Sequence, residues 1–251
     1  MKTLALYHLK GGVGKTAAAV NIACLAAKAR IPTVLWDLDP QGAASWTLSA
    51  TTIEAVKPKA LWSGNAPIGD WVQETGRSHL ALIPADLTTR HLDTWLRKSG
   101  KDGDDPDTLK QLLRPLSEHY ALCVLDCPPS LSHLAENVFA AADRVLLPTV
   151  PTHLSLRALK QLLDHFGEHK LPRDKLRAFW SLADRRRGLH KALIEAPPKA
   201  MPKLLRAVVP YSTVVEKMGE HKAPVEDFAA DHPAAEAYRL LWKEVKTELR
   251  L

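Results

Sequence analysis

Cysteine is scarce in this sequence, with three in 251 residues. That count excludes a disulfide framework. None of the three forms a CxxC pair, so cluster ligation and paired-thiol redox chemistry lack their customary residues. Cys24 falls in a helical stretch, and Cys123 and Cys127 flank the end of an apolar run, a pattern that reads as buried thiols. No apolar run approaches the ~18 residues that a membrane-spanning helix requires. The first apolar stretch, Thr3–Leu9, is short and leads directly into glycines, unlike a signal peptide. Repeats and low-complexity tracts are also missing, and the four tyrosines are spread out rather than gathered in a tail. The expectation is a soluble, cytoplasmic protein.

What is present suits a full core: 46% hydrophobic and 25% charged residues. Short apolar runs alternate with longer helical stretches. Strands are expected at Thr3–His8, Thr33–Asp37, Leu80–Pro84, Ala121–Asp126, Arg144–Pro148, Ala178–Leu182 and Ala207–Pro210. Helices are expected between most of them, including Lys15–Ala29, Leu134–Ala142, Leu154–Glu168 and Gly188–Ala196. Such alternation predicts an α/β fold whose mostly parallel sheet is flanked by helices on both faces. The polar stretch Ser99–Asp107 reads as a turn-rich loop. No linker divides the chain, so a single domain over residues 1–251 is expected.

Charge is uneven. Residues 155–210 carry 13 Lys/Arg against five Asp/Glu, a local +8, so the rest of the +6 chain sums to −2. Three of these cations are consecutive, Arg185, Arg186 and Arg187, directly after an expected strand. Lys199, Lys203 and Arg206 follow soon after, with Lys217 further on. The bland reading is a solvated basic face.

The strongest signal is the run from Lys10 to Thr16, KGGVGKT, between an apolar strand and an apolar helix. Gly11, Gly12 and Gly14 let the backbone curl so that successive N–H groups face one concavity, and the helix N-terminus adds its partial positive charge. Around Val13 and Ala17 the backbone itself is the contact surface. Lys15 can reach β- and γ-phosphates, and the Thr16 hydroxyl can ligate Mg²⁺. The first glycine of the common GxxxxGK[ST] pattern is absent, and Lys10 opens the loop instead.

Two acidic strand ends follow. In Trp36-Asp-Leu-Asp-Pro-Gln-Gly42, Asp37 and Asp39 lie two apart at the carboxyl end of a strand, where open α/β sheets bind ligands. In Ala121–Pro129 an apolar strand ends at Asp126, the arrangement that holds Mg²⁺ in nucleotide triphosphatases. Each segment alone is also consistent with ordinary turn acids. Farther along, a strand ends at Pro210, with Ser212 two residues beyond.

Together these segments resemble the ParA/MinD family of deviant Walker A P-loop ATPases, most closely its ParA/Soj partition ATPases. The resemblance spans nearly the whole chain and is weakest over Thr51–Arg77 and Ser99–Asp107. It implies ATP hydrolysis with Mg²⁺, and a homodimer that forms on ATP binding. Lys10 would be the signature lysine crossing to the other subunit's phosphates. Asp39 would align the attacking water, Asp37 would lie close to the metal, and Pro210 with Ser212 would frame the adenine. Ser212 departs from the family's common asparagine. The family's DNA-binding members imply non-specific DNA contact through the basic region, with Arg186 the best positional match. Val214 stands where a second family arginine falls. The resemblance further implies a partner protein that stimulates hydrolysis, and nucleoid association.

Other members of the fold suggest alternatives. A MinD-like membrane helix would use the stripe Tyr238, Leu241, Val245 and Leu249, but a last helix docked on the core gives the same pattern, and no membrane partner is expected. A metabolic or cofactor-handling ATPase on the same core remains the competing class. Trp46, Trp62, Trp71 and Trp95 are expected to pack rather than to meet a partner. The eleven histidines read as scattered without ligand spacing, so no metal site beyond Mg²⁺ is expected.

Overall fold

The computed structural model describes residues 1–48, 67–99 and 105–251. Eight strands form one sheet: β1 Lys2–Leu6, β2 Thr33–Asp37, β3 Gln73–Glu74, β4 Leu80–Ile83, β5 Leu122–Asp126, β6 Arg144–Thr149, β7 Leu176–Ala183 and β8 Lys203–Pro210. Their order is β3-β4-β2-β5-β1-β6-β7-β8. Pairing is parallel throughout except at β3, a two-residue antiparallel edge.

The apolar strands are buried on both sides because their side chains alternate between two cores. Leu4 and Leu6 of β1, Leu35 of β2 and Val124 of β5 face one core. Ala5, Val34, Trp36, Cys123 and Leu125 face the other. Helices α1 (Lys15–Lys28) and α11 (Pro233–Leu249) cover the first side. Helices α3 (Leu92–Ser99), α4 (Thr108–Leu113), α5 (His133–Ala141) and α6 (His153–Glu168) cover the second. The shorter helices are α2 (Ala43–Leu48), α7 (Gly188–Glu195), α8 (Thr213–Glu216), α9 (Met218–His221) and α10 (Val225–Phe228).

Helix α1 is alanine-rich and buried almost all round, since the sheet lies under it and α11 beside it. Tyr238, Leu241, Val245 and Leu249 are all buried in that core, so the stripe on the last helix is a docking face rather than a membrane face. No helix among the described residues is long and apolar enough to cross a membrane.

Several boundaries differ from expectation; β7, for one, begins at Leu176, two residues before the expected start. β8 begins at Lys203, four residues before the expected start. It is an edge strand, where charged residues are tolerated and only Leu205, Ala207 and Val209 need cover. β1 ends at Leu6, two residues early, because Tyr7 and His8 turn toward the glycine loop. In the stretch expected as a loop, Ser99 ends α3 and Asp107 precedes α4, while residues 100–104 lie outside the described residues. Trp62 lies outside them too. Trp46 is 57% exposed instead of packed; its ring donates to the Gly219 carbonyl at 3.0 Å and lies 4.1 Å from the Lys222 ammonium.

Candidate functional site

Three adjacent parallel strands deliver the site. Register places Leu6 of β1 beside Asp126 of β5, and Asp126 beside Asp37 of β2. The glycine loop therefore leaves β1 directly next to two carboxylates. Gly12 (φ 68°) and Gly14 (φ 89°) take left-handed conformations that side chains resist. A Cβ on Gly14 would also lie 2.8 Å from Ser181 Oγ. β7 has an irregular register between Trp180 and Ala183, and Leu182 adopts φ 51°, so a bulge brings Ser181 against the loop. Nothing in the local sequence marked that contact.

His8 holds the loop from below. It is fully buried, and its Nδ1 accepts the Lys10 backbone N–H at 3.0 Å. Burial, then the charges of Lys15 and Lys10, lower its pKa to about 4, so the ring is neutral and able to accept. Sequence reading placed His8 only at the end of the expected first strand. Lys10 itself is exposed, and its ammonium has no ion-pair partner among the described residues. Lys15 is buried and reaches back to the Lys10 carbonyl at 3.4 Å.

The two aspartates differ in occupation. Asp37 is fully committed: one oxygen accepts the Ser45 N–H (2.8 Å) and hydroxyl (2.7 Å), the other the Asp39 N–H (3.2 Å). Ser45 Oγ in turn accepts the Ala85 N–H at 2.9 Å, so Asp37 anchors the turn that leads into α2. Burial raises its pKa to about 6 despite these bonds. Asp126 is equally buried, yet neither of its oxygens has a hydrogen bond of good geometry among the described residues, the neighbouring Thr16 hydroxyl included. Burial, followed by the Asp37 charge, pushes its carboxyl well up, while Thr16 and Lys15 pull the other way. Asp39 is partly exposed and held by the Gln41 N–H at 3.0 Å.

Burial also pushes the Lys15 ammonium down, against the pull of Asp126 and Asp39. Charged groups of both signs are thus stranded without full compensation, an expensive state unless a ligand completes it. A polyphosphate would satisfy Lys15 and the loop N–H groups. A hard divalent cation beside Thr16 would satisfy Asp126. The donor set fits both.

At the other end, an open cavity of about 640 Å³ is lined by Ala183, Asp184, Arg186, Pro210, Tyr211 and Ser212, among others. Ser212 does not point freely into it: its Oγ accepts the Val214 N–H at 3.1 Å and caps α8. Arg186 grips Asp184 at 2.9 and 3.0 Å, and this pairing lowers the Asp184 pKa to about 2. Arg187 lies 3.7 Å from the same carboxylate. Lys203 and Arg206 are ion-paired with Glu248 and Glu244 of α11. Arg185, Lys199 and Lys217 have no ion-pair partner among the described residues. The structure brings the phosphate-end residues together around one point, and it leaves the basic residues spread over β8 and the loops bordering it.

A strand, a glycine loop, a helix and an acid-tipped neighbouring strand define a P-loop nucleotide triphosphatase. The AAA domain family model matches residues 1–176. The chromosome-partitioning ATPase Soj of Thermus thermophilus is 30% identical over 255 residues, covering 100% of this chain and 97% of that protein. The chain belongs to the ParA/MinD family of P-loop ATPases. Its fold is shared with an ATP complex of a McdA variant from Cyanothece (TM-score 0.79, 22% identity, 100% of this chain and 97% of that one). It is shared equally with cobyrinic acid a,c-diamide synthase from Mycobacterium smegmatis bound to an ATP analogue and magnesium (TM-score 0.80, 22% identity, 98% and 94%).

Proposed function

We propose that this chain is a ParA-like positioning ATPase. It binds ATP between two copies of itself, lays the dimer on DNA without sequence preference, and resets by hydrolysis. The cargo is a plasmid, a chromosome region or a protein assembly. The single observation that carries the reading is the pair of lysines at the two ends of one loop: Lys15 buried against the carboxylates, Lys10 exposed and uncommitted. A loop that serves only its own bound nucleotide has no use for the second.

Within this reading each residue has a task. The N–H groups from Gly11 to Ala17 and the Lys15 ammonium bind the phosphates. Thr16 and Asp126 hold Mg²⁺, which when bound neutralises charge on the transferring phosphoryl group. Asp37 keeps the turn after β2 in place, close to the metal. Asp39 aligns the attacking water, where orientation counts for more than its weak basicity. Lys10 reaches across to the partner's phosphates, so neither half-site is complete alone. Pro210 and the capped Ser212 form the floor of the base cavity. Arg185, Arg186 and Lys199, with Lys217 nearby, offer the cations that meet DNA phosphates, and dimerisation doubles them. A partner protein prompts hydrolysis, and the working location is the nucleoid in the cytoplasm.

An electrophoretic shift with non-specific duplex DNA tests this, run with ATP, ADP and no nucleotide at two salt concentrations. Retardation with ATP alone, weakened at the higher salt, is expected. Retardation equal in all three conditions, or none at either salt, contradicts the reading and returns the chain to the metabolic branch of its fold.

A further inference from the structure

A second group of ligand-bearing side chains lies outside the phosphate site. His165 lies in the last turn of α6 and His169 caps its C-terminus four residues on, with the two ring centroids 4.2 Å apart. Glu136 comes from the first turn of α5, which packs beside α6 through Phe139 and Phe166 at 4.8 Å. One ligand atom from each of Glu136, His165 and His169 lies within 4.8 Å of the other two.

Two further observations distinguish this cluster from a chance meeting of surface groups. The Nε2 of His165 is buried and has no hydrogen-bond partner among the described residues; the Phe139 ring, 6.4 Å away, offers none. A buried orphan of this kind marks an atom awaiting a ligand. Behind Glu136 there is also an oriented outer layer. The Leu109 N–H binds Asn137 Oδ1 at 3.0 Å, which turns Asn137 Nδ2 toward His133 Nε2 at 3.3 Å. The Asn137 amide donates, so His133 accepts on Nε2 and carries its hydrogen on Nδ1. That Nδ1 lies 3.5 Å from Glu136 Oε2. An outer partner of this sort fixes the orientation of a ligating carboxylate.

We infer that Glu136, His165 and His169 form a binding site for a divalent transition ion of the Zn²⁺ or Co²⁺ kind. Two imidazole nitrogens four apart on a helix and one carboxylate are a borderline donor set, which suits these ions. Mg²⁺ prefers an all-oxygen octahedron, so the two sites sort ions by chemistry. Among the described residues only three protein ligands are present, and His169 is exposed, so water completes the sphere and the ion exchanges. Binding ties α5 to α6 on the side of the sheet away from α1.

The test uses the untagged full chain, stripped with chelator and held in millimolar Mg²⁺ to occupy the oxygen-rich site. Co²⁺ is titrated by visible absorption and Zn²⁺ by calorimetry. The site predicts saturation at one ion per chain. It also predicts at least ~10-fold weaker binding in His169→Ala and in Glu136→Gln. His169 is exposed, so its variant retains the fold, which a thermal melt without added ion verifies. Zn²⁺ raises the melting temperature of the parent chain and leaves that of His169→Ala unmoved. Absence of saturable uptake, or uptake equal in the parent and both variants, overturns the inference.

Discussion

The phosphate end and the basic region both gather charged residues, but they keep them in opposite states. At the phosphate end, Lys15 and Asp126 are buried and incompletely satisfied, each driven toward neutrality by desolvation. In the basic region most cations are exposed, and several are already spoken for: Lys203 by Glu248, Arg206 by Glu244, Arg186 by Asp184. A buried charge without a partner signals a ligand, because the fold tolerates it only for what binds there. A surface charge signals much less, because solvent and neighbouring acids screen it.

The largest expected effect tests the first half of that contrast. Lys15→Ala should lower ATP affinity by about 10²–10³-fold, the scale of removing one partner from a buried charged pair. Equilibrium binding of a fluorescent ATP analogue checks this, and near-normal affinity would remove the loop from its role. Next in size is Asp126→Asn. Hydrolysis should fall by about 10²-fold, on the scale of losing a group that stabilises transition-state charge. The nucleotide-free chain should meanwhile become more stable, because a buried charge is replaced by a neutral amide of the same shape.

The same contrast has a pH signature. Asp37 rises from 3.8 to about 6 on folding, and Asp126 rises well above its ordinary value. A carboxyl raised on folding favours the fold while protonated. Its contribution is therefore complete below pH ~3.8 and is lost as pH climbs through about 6. Chemical denaturation of the nucleotide-free chain should show stability declining across that window, less steeply in Asp126→Asn. An unchanged slope would mean that these carboxyls ionise as freely in the fold as in the unfolded chain.

The smallest effect separates cations within the basic region. Arg185→Ala should lower the salt slope of DNA binding by about one, the loss of one phosphate contact. Lys203→Ala should change it less, since Lys203 already faces Glu248. Equal slopes for the two variants would mean that local pairing does not decide which cations meet DNA.

Much of this was legible from residues close in sequence. The central strands read correctly because burial on both faces leaves continuous apolar runs, as in Leu122–Asp126. The placement of Asp37 and Asp126 was legible because each ends an apolar strand. Contacts between distant segments did not show. The bulge that sets Ser181 against Gly14 arises from β7–β8 register. The +8 window overlooked Glu244 and Glu248, which stand 38 and 45 residues from their partners Arg206 and Lys203 in sequence but beside β8 in space. The His165–His169 spacing was present all along, but it carried no meaning until α5 supplied Glu136.

The account turns on Lys10 acting across a dimer. Light scattering of the chain with Mg²⁺ and a non-hydrolysable ATP analogue addresses that directly. The parent chain should double in mass, and Lys10→Ala should bind the analogue while remaining single. A parent chain that stays single when saturated with the analogue, or a Lys10→Ala variant that pairs as readily, would contradict the account.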